Sequence, residues 1–133
     1  MKRLSLLALL SISPALAQVE RVSTGPAPTN VQGDMDSCDG GCQHAVSLSF
    51  DGRHVAFTSL ATNLVPGDTN GVLDIFVRDR ATGSLVRIPG AGGVQTDGLS
   101  FARAISNDGR HVAFTTLDSS VQSASGFKIA VYD

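Results

Sequence analysis

The heptapeptide DGRHVAF occurs twice without a change, at Asp51–Phe57 and at Asp108–Phe114. The two copies stand 57 residues apart (108 − 51 = 57). The likeness runs well beyond the heptapeptide. Ser47–Asp79, SLSFDGRHVAFTSLATNLVPGDTNGVLDIFVRD, returns as Ala104–Asp133, AISNDGRHVAFTTLDSSVQSASGFKIAVYD. A unit recurring at such a period is one supersecondary module used again, and it limits the architecture more tightly than local propensity does.

Inside the unit the pattern is that of strands and turns. Val46–Phe50 is a candidate strand, and Asp51-Gly52 is the dipeptide of a two-residue type I′ hairpin turn. His54–Ser59 returns as the next strand, with Val55 and Phe57 on one face and His54, Ala56 and Thr58 on the other. Neither face is strongly charged, which suits a strand covered on both sides. Leu60–Val72 carries the turn signals Pro66-Gly67-Asp68 and Asn70-Gly71. Leu73–Arg78 is a third strand, Asp79–Gly83 a second turn and Ser84–Ile88 a fourth strand. Ahead of the unit, Val19–Ser23 (VERVS) alternates apolar and polar residues, reads as a short strand and resembles Leu85–Pro89 (LVRIP). Residues 24–41 hold Pro26, Pro28, Asn30, Gly33, Asp34 and Asp36, which is loop chemistry.

Four antiparallel strands, repeated, make the blade of a β-propeller, and the fold class expected is all-β, with about two blades of which the second is incomplete. The string S-x-D-G-R-x-V-A-F, then N-L-V-P-G-D-T-N-G-x-x-D-I-F-V-R-D and T-G, looks like the repeats of the TolB-like, WD-repeat-like propeller family of exported bacterial proteins. Here those residues are Ser49, Asp51–Arg53, Val55–Phe57, Asn63–Gly71, Asp74–Asp79, Thr82 and Gly83. The second unit departs from the pattern, with Asp118–Gly126 in place of the P-G-D-T-N-G loop. It also ends at the equivalent of Asp79, where a fourth strand would follow. The organisation expected is 1–17 signal peptide, 18–45 leading strand and loop, 46–102 first blade with its connector, and 103–133 a partial second blade. A truncated product, or several chains closing a ring by association, would account for the short second unit.

The resemblance also implies where binding would occur. In propellers the loops joining strands two to three and four to one share one face, which makes Asn63, Asp68, Asn70, Asp74, Gln95 and Asp97 the candidate binding residues. The function implied is a non-catalytic exported scaffold for a protein partner or small ligand. The alternative is the propeller portion of a prolyl-peptidase-like hydrolase, whose catalytic domain lies outside this chain. Open strand edges would in addition invite self-association.

Compartment and chemistry follow from smaller features. Lys2 and Arg3, the apolar run Leu4–Ile12 and Ala15-Leu16-Ala17 make a secretory signal peptide cleaved before Gln18, so the expected location is the periplasm or the extracellular space. Without residues 1–17, which hold two cations and no acid, the net charge moves from −2 to −4. The remaining cations are scattered, which argues against a nucleic-acid footprint, and no apolar run is long enough for a membrane span. Cys38 and Cys42 read as a small disulfide in an exported protein. Asp68, Asn70 and Asp74 give the spacing D-x-N-x-x-x-D around Gly71, a weak calcium candidate, though Asx beside Gly is more often a plain turn. No cofactor is otherwise implied. His54 and His111 occupy matching positions, expected to pack between blades, while Arg53 and Arg110 are placed to pair with Asp51 and Asp108 or with nearby carbonyls. There is no G-x-S-x-G elbow and no H-E-x-x-H, and Gly90–Gly93 lacks the Lys and Ser/Thr of a phosphate loop, so no catalytic residue is assigned.

Overall fold

In both copies of the D-G-R segment the aspartate side chain organises a turn. The computed structural model describes residues 19–37, 46–121 and 126–133. Asp51 Oδ1 accepts the Ser49 hydroxyl at 2.6 Å and the Arg53 N–H at 3.0 Å, while Ser49 Oγ accepts the His54 N–H at 2.8 Å. The second copy repeats each bond: Ser106 to Asp108 at 2.5 Å, Arg110 N–H to Asp108 at 3.1 Å, His111 N–H to Ser106 at 2.9 Å. Gly52 and Gly109 donate to the carbonyls of Ser49 and Ser106 and hold φ of 72° and 74°. Asp51 and Asp108 keep negative φ, so these are not two-residue type I′ turns. The chain reverses over residues 50–53, closed by the Ser49 N–H to His54 carbonyl bond, with glycine alone in the left-handed region. The serine and aspartate side chains supply bonds that favour this longer loop, and they shorten the first strand at Leu48.

Among the described residues seven strands result, in two antiparallel sheets. The first comprises β1 (Val46–Leu48), β2 (His54–Ser59), β3 (Asp74–Asp79) and β4 (Ser84–Arg87) in the order β1-β2-β3-β4. The second comprises β5 (Ser100–Ile105), β6 (Val112–Thr116) and β7 (Lys128–Tyr132) in the order β5-β6-β7. The protein is all-β; the described residues hold one short 3-10 turn, Ala91–Gly93, and no α-helix. None of them forms a helix long and apolar enough to cross a membrane.

The period-2 alternation of β2 becomes two cores. Val55 and Phe57 join Ala61, Leu64, Phe76 and Leu85 on one face, with Val22 and Val65 packed against them and the Phe57 and Phe76 rings stacked at 5.7 Å. Ala56 and Ile75 face the second sheet and cluster with Ile88, Ala102, Val112 and Phe114. β2 is therefore covered on both faces, as the weakly polar sequence of His54–Ser59 anticipates, while Val46 and Leu48 on β1 stay exposed. Across the sheet-to-sheet contact, Ala102 N–H donates to Thr58 Oγ1 at 3.1 Å and Ile105 N–H to Ser47 Oγ at 3.2 Å. The His54 ring lies against Gly109, so closely that a Cβ added there would collide with it. His54 thus packs between the sheets. Its counterpart His111 does not: its side chain is about half exposed, 3.7 Å from Asp133.

The expected arginine pairing is corrected. The guanidinium groups of Arg53 and Arg110 do not pair with Asp51 and Asp108, whose carboxylates already hold the turn through main-chain and serine donors. Arg53 reaches across to Asp79 on β3 in a two-pronged pair at 3.0 and 2.7 Å, and Arg110 makes the same pair with Asp133. Asp79, held by the Arg53 guanidinium, lies well below the usual carboxylate range. Val19–Ser23, expected as a strand, joins no sheet; among the described residues the pairing nearby is an isolated bridge between Thr24 and Gln32. What fixes this segment is Arg78. Its buried guanidinium donates to the carbonyls of Val22, Thr24, Gly25 and Gly83 and to the Thr24 hydroxyl. Arg78 thereby pins Val22, Thr24 and Gly25 beside β3, and the segment ahead of them pairs with neither sheet of its own chain. Residues 1–17 and the Cys38–Cys42 pair lie outside the described residues.

Two outcomes follow. Gly52→Ala and Gly109→Ala share a left-handed backbone cost of roughly 1–2 kcal/mol. Only Gly109→Ala also meets the His54 ring, so its loss in chemical denaturation should be the larger, above about 3 kcal/mol. Replacing Arg78 by Met should cost about 3 kcal/mol and speed hydrogen exchange over residues 22–25, since its charge-assisted bonds tie that segment to β3.

Candidate functional site

The loop between β2 and β3 and the connector between β4 and β5 meet along one edge of the first sheet. Asp74 opens β3 and is buried; Thr96 Oγ1 donates to its Oδ1 at 2.5 Å and Asn70 Nδ2 to its Oδ2 at 3.0 Å. Asn70 Nδ2 also donates to the Thr96 carbonyl at 2.9 Å. Gln95 Nε2 donates to Asp68 Oδ1 at 3.1 Å, and Thr69 Oγ1 to Gln95 Oε1 at 3.1 Å. Arg87, the last residue of β4, brings its NH1 to 3.4 Å from Asp68 Oδ1 and 3.7 Å from Asp74 Oδ2. That nitrogen is buried and sits between the carboxylates without forming a hydrogen bond to either.

Four of the six candidate residues, Asp68, Asn70, Asp74 and Gln95, therefore come together. Sequence reasoning missed Arg87 and Thr96. Arg87 is the one cation of the fourth strand, but nothing in the sequence marks which loop carboxylates it meets. Asn63 and Asp97 lie elsewhere and clip loops. Asn63 donates to the Gln32 carbonyl at 2.9 Å and accepts the Asp34 N–H at 3.0 Å. Asp97 accepts the Ser119 N–H at 2.7 Å and the Ser119 hydroxyl. Asp34 does the same for Thr62, at 2.9 Å to both the N–H and the hydroxyl. Asp34 and Asp97 are thus equivalent residues, 63 positions apart (97 − 34 = 63) rather than 57.

Burial, and next the charge of Asp74, push the Asp68 carboxyl up, while Arg87 pulls it down. The cluster is specific to the first repeat. Lys128 occupies the place of Asp74 in the second, where its ammonium donates to the Asp118 carbonyl at 2.7 Å. For a cation to use Asp68 and Asp74 it would have to displace Arg87, and Asn70 turns its amide nitrogen, not its oxygen, toward Asp74. No group of three or more His, Cys, Asp or Glu is gathered for a metal among the described residues. Ser49, Asp51 and His54 have the residue types of a nucleophilic triad but not its geometry, because the His54 main chain bonds Ser49. The arrangement ties the two loops together and leaves Thr69 exposed, hydrogen-bonded to the half-buried Gln95.

No protein-family model matches this chain, and no curated protein or solved structure matches it.

The charge balance has a measurable sign. A carboxyl raised in the folded state binds more protons there than in the unfolded chain, so its effect on stability worsens as pH climbs through its folded pKa. Asp68→Asn removes that proton linkage, and the variant should gain stability relative to wild type between pH 4 and pH 7, measured by denaturant melts at each pH. Arg87→Leu leaves two buried carboxylates facing each other and should cost about 3 kcal/mol at pH 7, and less at pH 4.

Proposed function

We propose that the two sheets are consecutive blades of a TolB-like, WD-repeat-like propeller, and that the exported chain is a non-catalytic scaffold. Its binding face is the edge where the β2–β3 loop and the β4–β5 connector meet, and its ligand is a protein segment or small molecule read by hydrogen bonds. The observation that carries this reading is the Asp68–Arg87–Asp74 cluster. It spends its charge inward and, through the half-buried Gln95 amide, fixes the exposed Thr69 at the edge where the two loops meet. A preorganised edge of this kind orders little on binding, which favours recognition. Fold resemblance alone assigns no activity, so the reading rests on that edge.

A photo-cross-linking residue at exposed Thr69 should capture a discrete partner in the exporting cell, and the same residue at exposed Ala81, in the β3–β4 turn, should not. Equal capture at both positions, or at neither, overturns the reading. The protein recovered from the periplasm or medium should begin at Gln18.

A further inference from the structure

The contact between the two sheets has two sides, and each side recurs on the molecule without a partner. On the first sheet the contact uses Ile75 and Val77; by repeat these correspond to Ile129 and Val131 on β7, which are 83% and 65% exposed. On the second sheet it uses Ala102 and Ile105. The strand register makes their counterparts Val46 and Leu48 on β1, which are 61% and 57% exposed. The same doubling holds for smaller features. His54 lies against Gly109, whereas His111 is half exposed and Gly52 has only the Arg80 guanidinium near it. Thr58 accepts the Ala102 N–H from the facing sheet, whereas the equivalent Thr115 hydroxyl is taken by Arg103 at 3.1 Å.

From this we infer that a second copy of the chain docks head to tail. The Ile129/Val131 face of one copy takes the Val46/Leu48 face of the next, with His111 over Gly52 as His54 lies over Gly109. The same superposition sets residues 19–22 of the incoming copy, the sequence counterpart of Leu85–Ile88, on the free edge of β7. A groove of about 420 Å³ lined by Phe114, Val121, Ala130 and Tyr132, among others, opens beside that edge. In the first sheet the counterparts Phe57 and Phe76 cluster with Leu85 of β4, so the groove is the right place for an apolar side chain of the added strand. Such a contact joins two different surfaces, so it propagates to a closed ring or an open fibre, never to a symmetric pair. The inference rests on the repeat relation between the sheets and does not depend on the Thr69–Gln95 edge.

The test uses the full chain purified from the exporting cell, with mass read by light scattering after size exclusion. Wild type should exceed the monomer mass, increasingly so at higher concentration. Leu48→Glu and Ile129→Glu should each run as a monomer, and an equimolar mixture should yield a discrete heterodimer, because each variant keeps the face the other has lost. Both side chains are exposed, so the fold is checked by circular dichroism, and Val46→Lys with Val131→Lys replaces any variant that unfolds. A wild-type monomer at every soluble concentration overturns the inference. So does Leu48→Glu remaining oligomeric while Ile129→Glu does not, since that marks a symmetric contact through β7 alone.

Discussion

The carboxylate of Asp51, and its copy at Asp108, sets the register on which everything else rests. By taking the Ser49 hydroxyl and the Arg53 N–H it fixes where the first hairpin reverses, and so which residue of β1 faces which of β2. Strand side chains alternate, so a slip of one position would exchange the two faces of β2. Val55 and Phe57 would then leave one core as Ala56 left the other. The next residue, Arg53, carries the constraint onward by clamping β3 through Asp79. A short polar network thus specifies the placement of two apolar clusters that do the bulk of the stabilising.

The two repeats use the same polar network and fill it differently. The first has Phe76 and Arg78 where the second has Ala130 and Tyr132. In the first, the guanidinium of Arg78 gathers carbonyls from the leading segment over a buried aromatic pair. Burial alone would weaken its charge, and it does push the Arg78 guanidinium below its ordinary pKa. Convergent carbonyl dipoles, with the Glu20 charge attracting it from farther off, make that burial tolerable. In the second repeat the smaller alanine leaves a groove in the same place. Identical hairpins therefore carry one closed face and one open face.

Much of the secondary structure was legible, because an unchanged heptapeptide at a fixed spacing leaves few ways to stack it. His54–Ser59, the β3–β4 turn at Asp79–Gly83 and the double-sided burial of β2 all follow from alternation and turn chemistry. The form of the D-G-R turn was not legible. Asp-Gly fits a two-residue reversal equally well until the serine two positions earlier is seen to bond it. The leading segment Val19–Ser23 misled for a related reason: its alternation is that of a fourth strand, but a buried arginine holds its carbonyls. At the candidate site the loop residues could be named from placement, while Arg87 could not, since a strand residue gives no sign of which loop carboxylates it will meet. Asp34 stayed hidden because the repeat spacing changes between it and the heptapeptide.

That change of spacing has a consequence for how the chain can vary. Asp36 and Ser37 bond Leu60 and Ser59 just as Leu99 and Ser100 bond or pair with Leu117 and Thr116, and pairing resumes at Val46 opposite Phe57. Ser37 and Val46 thus hold opposite β2 the positions that Ser100 and Ala102 hold opposite β6, where the single residue Phe101 lies between them and the Arg103 bulge absorbs one position. Exit and re-entry are two strand positions apart on β2, roughly 7 Å. Lengthening a segment whose ends are already held together adds only a slowly growing entropy cost. The pairing on β2 is thus anchored on both sides of that interval, at Ser37 and at Val46, so a change of length between the two anchors leaves the register of either sheet in place.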